Sequence, residues 1–192
     1  MKYGFLDLET TGLDPNSDCI LEIAWAFTDE HFNLISAPQT YIVDHGDDWD
    51  KAWSQLAEND IPRAMHAKSG LTTDLLRDTR KEPLDDIYRR LEHSLQQQSV
   101  DGPIHLAGRS VHFDKRFLLA NDFDVLFDDS LPASFHHRIM DFSSVKLLLD
   151  SVGVDVKQFE IENLAPHRAV YDVLSDIGFA RNLRSYLEGK FL

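Results

Sequence analysis

Asp7 and Glu9 stand one residue apart near the N-terminus. On a strand, residues i and i+2 point to the same face. Two carboxylates side by side repel each other and are costly to bury. A divalent cation between or beside them removes that cost, and hard oxygen donors favour Mg²⁺ or Mn²⁺ over softer metals. The competing reading is a solvent-facing strand end. Phe5, Leu6 and Leu8 argue for a buried strand instead. Thr10, Thr11 and Gly12 follow directly, and such a turn exposes backbone N–H groups and hydroxyls beside the acids. That chemistry suits a nucleotide terminus and its phosphate.

Two further segments carry candidate chemistry. Asp114 lies in Gly108–Leu118, where a loop leaves a strand and a helix begins. Taken alone it reads as a helix N-cap; a carboxylate fixed at a helix start can also hold a metal. His167 precedes Asp172 by five residues, a spacing that separates two side chains around an unbroken helix. Pro166 instead puts His167 in a loop and Asp172 in the early helix. His167 can then swing over a site that Asp172 helps to build, and a neutral imidazole is a natural general base for a water nucleophile. Alone, His167 is an ordinary surface residue, one of nine histidines.

The elements that must position these groups follow from periodicity. Tyr3 to Leu8 reads as a central strand, ended by turn residues 10–15. Leu21, Ile23, Trp25 and Phe27 alternate with Glu22, Ala24, Ala26 and Thr28, a period of two. Gln39 to Val43 is a third strand, and short connections make the three an antiparallel meander. The acidic run 44–50 reads as a solvated loop before a helix holding Trp53 and Leu56. Leu84, Ile87, Tyr88, Leu91 and Leu95 fall at helical spacing, with Pro83 at the start. A strand over 104–107 and a helix over 114–120 follow. Arg138 to Phe142 reads as a short strand, with Ser143 or Ser144 capping a helix through Leu149. A polar loop over 153–166 leads to a last helix with Val173, Ile177, Ala180 and Leu187 near one face. Trp25 and Phe27 belong to the core. The order βββαβαβα predicts an α/β sandwich with a mixed sheet.

Composition sets the bounds. A chain of 192 residues, 43% hydrophobic and 27% charged, matches one globular domain spanning 1–192. No apolar run is long enough to span a membrane. The N-terminus enters a strand at once, so no secretory signal is expected. Cys19 is the only cysteine, which excludes an intrachain disulfide and fits a reducing, cytoplasmic setting. The net charge of −14 argues against a grip on long nucleic acid, whose binding rests on neutralised phosphates. Divalent cations at a carboxylate site, or a substrate only a few nucleotides long, remove that objection.

The three segments in order are more specific than any one. DLETTGLD (7–14), GRSVHFDKRFL (108–118) and HRAVYD (167–172) resemble the motifs of the DEDDh family of 3′–5′ exonucleases, over nearly the whole chain. That resemblance implies a ribonuclease H-like three-layer sandwich, with a mixed five-stranded sheet flanked by helices. It implies two Mg²⁺ or Mn²⁺ ions held by Asp7, Glu9, Asp114 and Asp172, with His167 as general base. Thr10, Thr11, Gly12, Leu13, His66 and Ser110 are the implied substrate contacts. Within the family, His66–Leu71 and Met140–Lys146 are similar to oligoribonuclease segments. That subfamily implies a homodimer acting on short single-stranded RNA.

Three positions depart from the subfamily. Thr10 replaces a methionine, Ile61 a tryptophan, and His137 a tyrosine offered to the partner subunit's site. The aromatics help to select very short substrates, so length and RNA-versus-DNA preference stay open. Trimming of DNA or tRNA ends is the rival within the same chemistry. A non-catalytic binding module and a paired-acid hydrolase of another kind are the rivals outside it. His136 and His137 read as a loop near a dimer interface.

Overall fold

The computed structural model of the chain describes residues 1–77, 80–128, 130–131, 133–161 and 166–191. Three strands come first: β1 (Lys2–Thr10), β2 (Ile20–Thr28) and β3 (Gln39–Asp44). β1 pairs antiparallel with β2, and β2 with β3, which is the expected meander. Three short helices follow, α1 (Trp49–Glu58), α2 (Asp60–Ser69) and α3 (Leu71–Arg77). A two-residue strand β4 (Glu82–Pro83) leads into α4 (Leu84–Gln98). Strand β5 (Ile104–Gly108) then adds parallel to β1, and β6 (Phe135–Asp141) parallel to β5, with α5 (Val111–Ala120) between them. Helices α6 (Phe142–Ser151) and α7 (Ala169–Phe191) complete the chain.

The sheet runs β4-β3-β2-β1-β5-β6, so it has six strands rather than five. The extra strand is β4, too short to leave a periodic trace. Its Pro83 has no N–H to donate, which an edge strand tolerates. β1 lies inside the sheet, as its apolar run predicts. Leu6, Leu8, Ile23 and Trp25 point to one face, covered by α4 and α5. Tyr3, Phe5, Ala24 and Ala26 point to the other, covered by α6 and α7. Ala24 and Ala26 are small, so α7 comes close to the sheet there. β2 is buried along its whole length. Glu22 to Thr28 therefore do not form a wet face, because helices cover both sides of the sheet.

Several boundaries differ from the sequence reading. Helix α5 begins at Val111, so Asp114 is inside its first turn and is not its N-cap. Strand β6 starts at Phe135, and His136 and His137 lie on it rather than in a loop. Helix α6 is capped by Asp141, whose carboxylate accepts from the N–H groups of Ser143 and Ser144; neither serine is the cap. The carboxylate reaches two orphan amides where a hydroxyl reaches one. The loop over 153–166 contains a 3₁₀ turn, Val156–Phe159, and its residues 162–165 lie outside the described ones. Val173, Ile177 and Ala180 are buried on α7, but Leu187 is 39% exposed.

Candidate active site

β1 carries Asp7 and Glu9 onto the face that α7 covers, one and two pleats beyond Phe5. In the β1–β2 ladder Asp7 stands opposite Ala24, and Glu9 opposite Glu22. Asp114 approaches from the first turn of α5 and is 3% exposed. One of its oxygens accepts the Leu8 N–H at 3.0 Å. Asp172 comes from the first turn of α7. Its Oδ2 accepts the N–H of His167 at 2.9 Å, and His167 itself has φ 63°, in the left-handed region. Possible ligand atoms of Glu9, His167 and Asp172 all lie within 4.8 Å of one another.

Asp7, Glu9, His167 and Asp172 form the floor of a cavity of about 760 Å³, and buried Asp114 is not among its lining residues. Leu13, Ile61, Pro62, Met65 and Phe113 supply an apolar wall, while Asp14, Asp18, Glu58 and Asp60 stand around the mouth. None of its described lining residues is Lys or Arg. Leu13 and Ile61 are 78% and 74% exposed, so this wall is open to a flat ligand.

Burial sets the electrostatics. It raises the Asp7 carboxyl well above the usual carboxylate range, and Asp114, Glu9 and Asp172 push it further. Burial does the same to Asp114, against a downward pull from the Leu8 N–H. Glu9 is pushed up to about 8, by burial first and then by Asp172 and Glu22. Asp172 is raised by burial, with His167 opposing. Four acids that are hard to ionise together, all with oxygen donors, form a site that a hard divalent cation stabilises. The donor set fits Mg²⁺ or Mn²⁺ chemistry.

The expected contact residues divide into two groups. Thr10, Gly12, Leu13 and His66 line the cavity. The Thr10 hydroxyl donates to the Gly12 carbonyl at 2.6 Å, which shapes the turn. His66 Nε2 sits 2.9 Å from the Thr10 carbonyl, so that nitrogen donates. Its Nδ1 faces Glu9 at 3.5 Å. Burial holds the His66 ring below its ordinary pKa, which fits a neutral ring beside a Glu9 that resists ionisation. Thr11 and Ser110 are off the cavity wall. Thr11 is buried and its hydroxyl accepts the Cys19 N–H. The Ser110 hydroxyl meets Ser143 at 2.9 Å, and its N–H donates to Asp141.

Four charged residues around this floor had no assignment from sequence. Asp176 is buried one turn after Asp172 and accepts the Arg109 N–H at 2.7 Å. The Arg109 guanidinium also lies 2.7 Å from Asp176. The available signal was the i, i+4 spacing of Asp172 and Asp176 beside an apolar stripe. Glu22 is buried and bonded to Arg168. Its signal was a lone acid inside an otherwise apolar strand.

The sequence pattern of the exonuclease family matches residues 5–178. Mitochondrial oligoribonuclease from Bos taurus is 32% identical over 184 residues, covering 93% of this chain and 71% of that protein. A probable oligoribonuclease from Dictyostelium discoideum is 33% identical, covering 95% and 86%. Oligoribonuclease from Neisseria meningitidis is 27% identical, covering 95% and 90%. Among solved structures, a zinc-bound complex of E. coli exonuclease I with single-stranded DNA superposes with a TM-score of 0.68 at 21% identity. Exonuclease I from Methylocaldum szegediense gives 0.63 at 19%. The chain spans 41% and 40% of those two proteins, and the likeness is one of fold, the ribonuclease H-like sandwich. The family pattern covers most of the chain and runs through all three acidic segments, so this chain belongs to the exonuclease family and is a 3′–5′ exonuclease of the DEDDh, oligoribonuclease-like kind.

Proposed function

We propose that the chain, acting as one domain, removes nucleoside 5′-monophosphates from the 3′ end of short single-stranded oligonucleotides, with RNA preferred. The observation that carries this is the convergence of Asp7, Glu9, Asp114, Asp172 and His167 at or behind the floor of one cavity with an apolar wall. Asp7, Glu9 and Asp172 would hold one divalent cation, with Asp7 and Asp114 toward a second, Asp114 through water. When bound, two such ions offset the charge on the phosphate and on the leaving 3′ oxygen. A ring nitrogen of His167 takes the proton of the attacking water. Leu13 and the wall of α2 meet the terminal base, while Thr10, Gly12 and His66 meet its sugar and phosphate. Thr11 and Ser110 act at one remove, by shaping the turns that carry these groups.

The oligoribonuclease relatives support RNA and short length. The fold shared with exonuclease I bound to single-stranded DNA supports DNA as the second reading. Leu147 and Leu148 on helix α6 and Val152 just after it are exposed, which supports a homodimer. Cytoplasmic action rests on the single cysteine alone. The test is product analysis with Mn²⁺ and a 5′-labelled RNA pentamer. Stepwise loss of 3′ mononucleotides is expected, with none from Asp7→Ala. Full activity in Asp7→Ala would sink the mechanism.

A further inference from the structure

His167 holds a backbone conformation that non-glycine residues rarely adopt, and such conformations persist only where the surroundings over-determine them. The next residue supplies the restraint. Arg168 forks onto Glu22, with Nη2 2.9 Å and Nε 3.1 Å from Oε1, and Nε 3.2 Å from Oε2. Its Nη1 donates to Asp74 at 2.7 Å. Glu22 Oε2 also accepts the Ala169 N–H at 2.9 Å. On the other side, the His167 N–H is taken by Asp172. The histidine is therefore gripped from β2, α3 and α7 at once.

The root of this grip is unusual. Glu22 is 1% exposed and sits two residues into β2, directly opposite Glu9. A buried ion pair is weak evidence for stability, since apolar residues of similar size often serve as well. A planar fork, by contrast, fixes direction as well as distance. We propose that Arg168 and Glu22 are positioning residues, and that the Arg168–Glu22–Asp74 clamp fixes the His167 imidazole over Glu9 and Asp172. The clamp sets the rate of proton transfer and leaves substrate and cation affinity alone. This rests on His167 being the base.

Two variants of the full chain test it. Arg168→Lys keeps a charge beside Glu22 and loses the fork. Asp74→Ala removes one arm at a half-exposed residue, with little risk to the fold. Each is compared with His167→Ala, alone and combined, by kcat, KM and the Mn²⁺-induced rise in melting temperature. Arg168→Lys is expected to lower kcat about 10- to 100-fold, as misplaced catalytic groups do. KM and the Mn²⁺ shift stay at wild-type values. In the His167→Ala background Arg168→Lys adds no further loss, because both act through one group. Wild-type kcat in either folded variant, or losses that multiply with that of His167→Ala, overturns the clamp. Wild-type turnover in His167→Ala overturns the base reading itself, a result separate from the other two.

Discussion

The N–H of Leu8 donates to the carboxylate of Asp114 at 3.0 Å, so the peptide that separates Asp7 from Glu9 is tied to the third acid. Residues more than a hundred positions apart share one hydrogen-bonded frame. The bond holds the strand acids and the helix acid in register. It also gives a buried carboxylate one of the donors it needs.

Substitution at Asp114 separates charge from hydrogen bonding. Asp114→Asn keeps an acceptor for Leu8 and removes a like charge from the cluster. Asp114→Ala leaves the Leu8 N–H buried and unpaired, at a cost of about 1–3 kcal/mol. Both variants are expected to lose turnover. In chelator, Asp114→Asn should melt at or above wild type and clearly above Asp114→Ala. The reverse order in thermal melts would refute the frame.

The raised carboxyls fix the sign of a pH effect. Glu9 titrates near 8 in the fold and at about 4.5 in an unfolded chain, so between those values the folded state binds more protons. Stability then falls as pH rises. Without metal, the protein is expected to be most stable near pH 5 and to weaken steadily to pH 8. Mn²⁺ should bind more tightly as pH rises, since protons must leave first, and should cancel that slope. Melting curves at fixed pH with chelator and with Mn²⁺ measure both. A metal-free protein that gains stability from pH 5 to 8 contradicts the shift.

Much of this was legible in the sequence. β1, the meander and α4 announced themselves through period two and period 3.6, and the same-face placement of Asp7 and Glu9 followed from the strand. Asp114 was harder, because a carboxylate near a helix start looks like a cap, and its partner, the Leu8 N–H, is distant in sequence. Strand β4 depends on pairing with distant β3, which leaves no local pattern, whereas the cap at Asp141 is local and competed with Ser143 and Ser144, all three being capping residue types. The pairing of Arg109 with Asp176 was invisible because the two residues lie 67 positions apart.

That pair yields its own prediction. Asp176 is held up near 6 by burial, even though Arg109 pulls it down. Arg109 also bonds Glu160 at 2.6 Å, an acid it shares with Lys146. Breaking a fully buried pair costs about 3–5 kcal/mol. Arg109 is about a third exposed, so solvent screening lowers this to roughly 1–3 kcal/mol for Arg109→Ala. At pH 5 Asp176 is already protonated and the loss should be smaller than at pH 8. Urea titrations at the two pH values decide it. Equal losses at both would mean that Asp176 does not change charge between the two pH values, against a midpoint near 6.

The cavity mouth predicts how length and salt act on turnover. A groove that grips a long strand neutralises phosphates with Lys and Arg, and its affinity falls steeply with salt. Here the mouth carries Asp14, Asp18, Glu58 and Asp60, and no described lining residue is Lys or Arg. The phosphates of a long strand would pass these acids, while a dinucleotide keeps its one bridging phosphate near the floor. We expect kcat/KM to fall from two to five to twenty nucleotides, for RNA and DNA alike. For the dinucleotide, KM should change no more than about twofold between 50 and 200 mM salt, where a groove with 6–10 phosphate contacts loses roughly 10³ or more. Added salt screens the mouth, so the twenty-nucleotide substrate should improve relative to the dinucleotide. Asp14→Asn combined with Asp60→Asn, both on exposed side chains, should narrow the same gap at low salt. If the longest substrate proves best at low salt and loses rate steeply as salt rises, the chain grips long strands and the short-substrate reading fails.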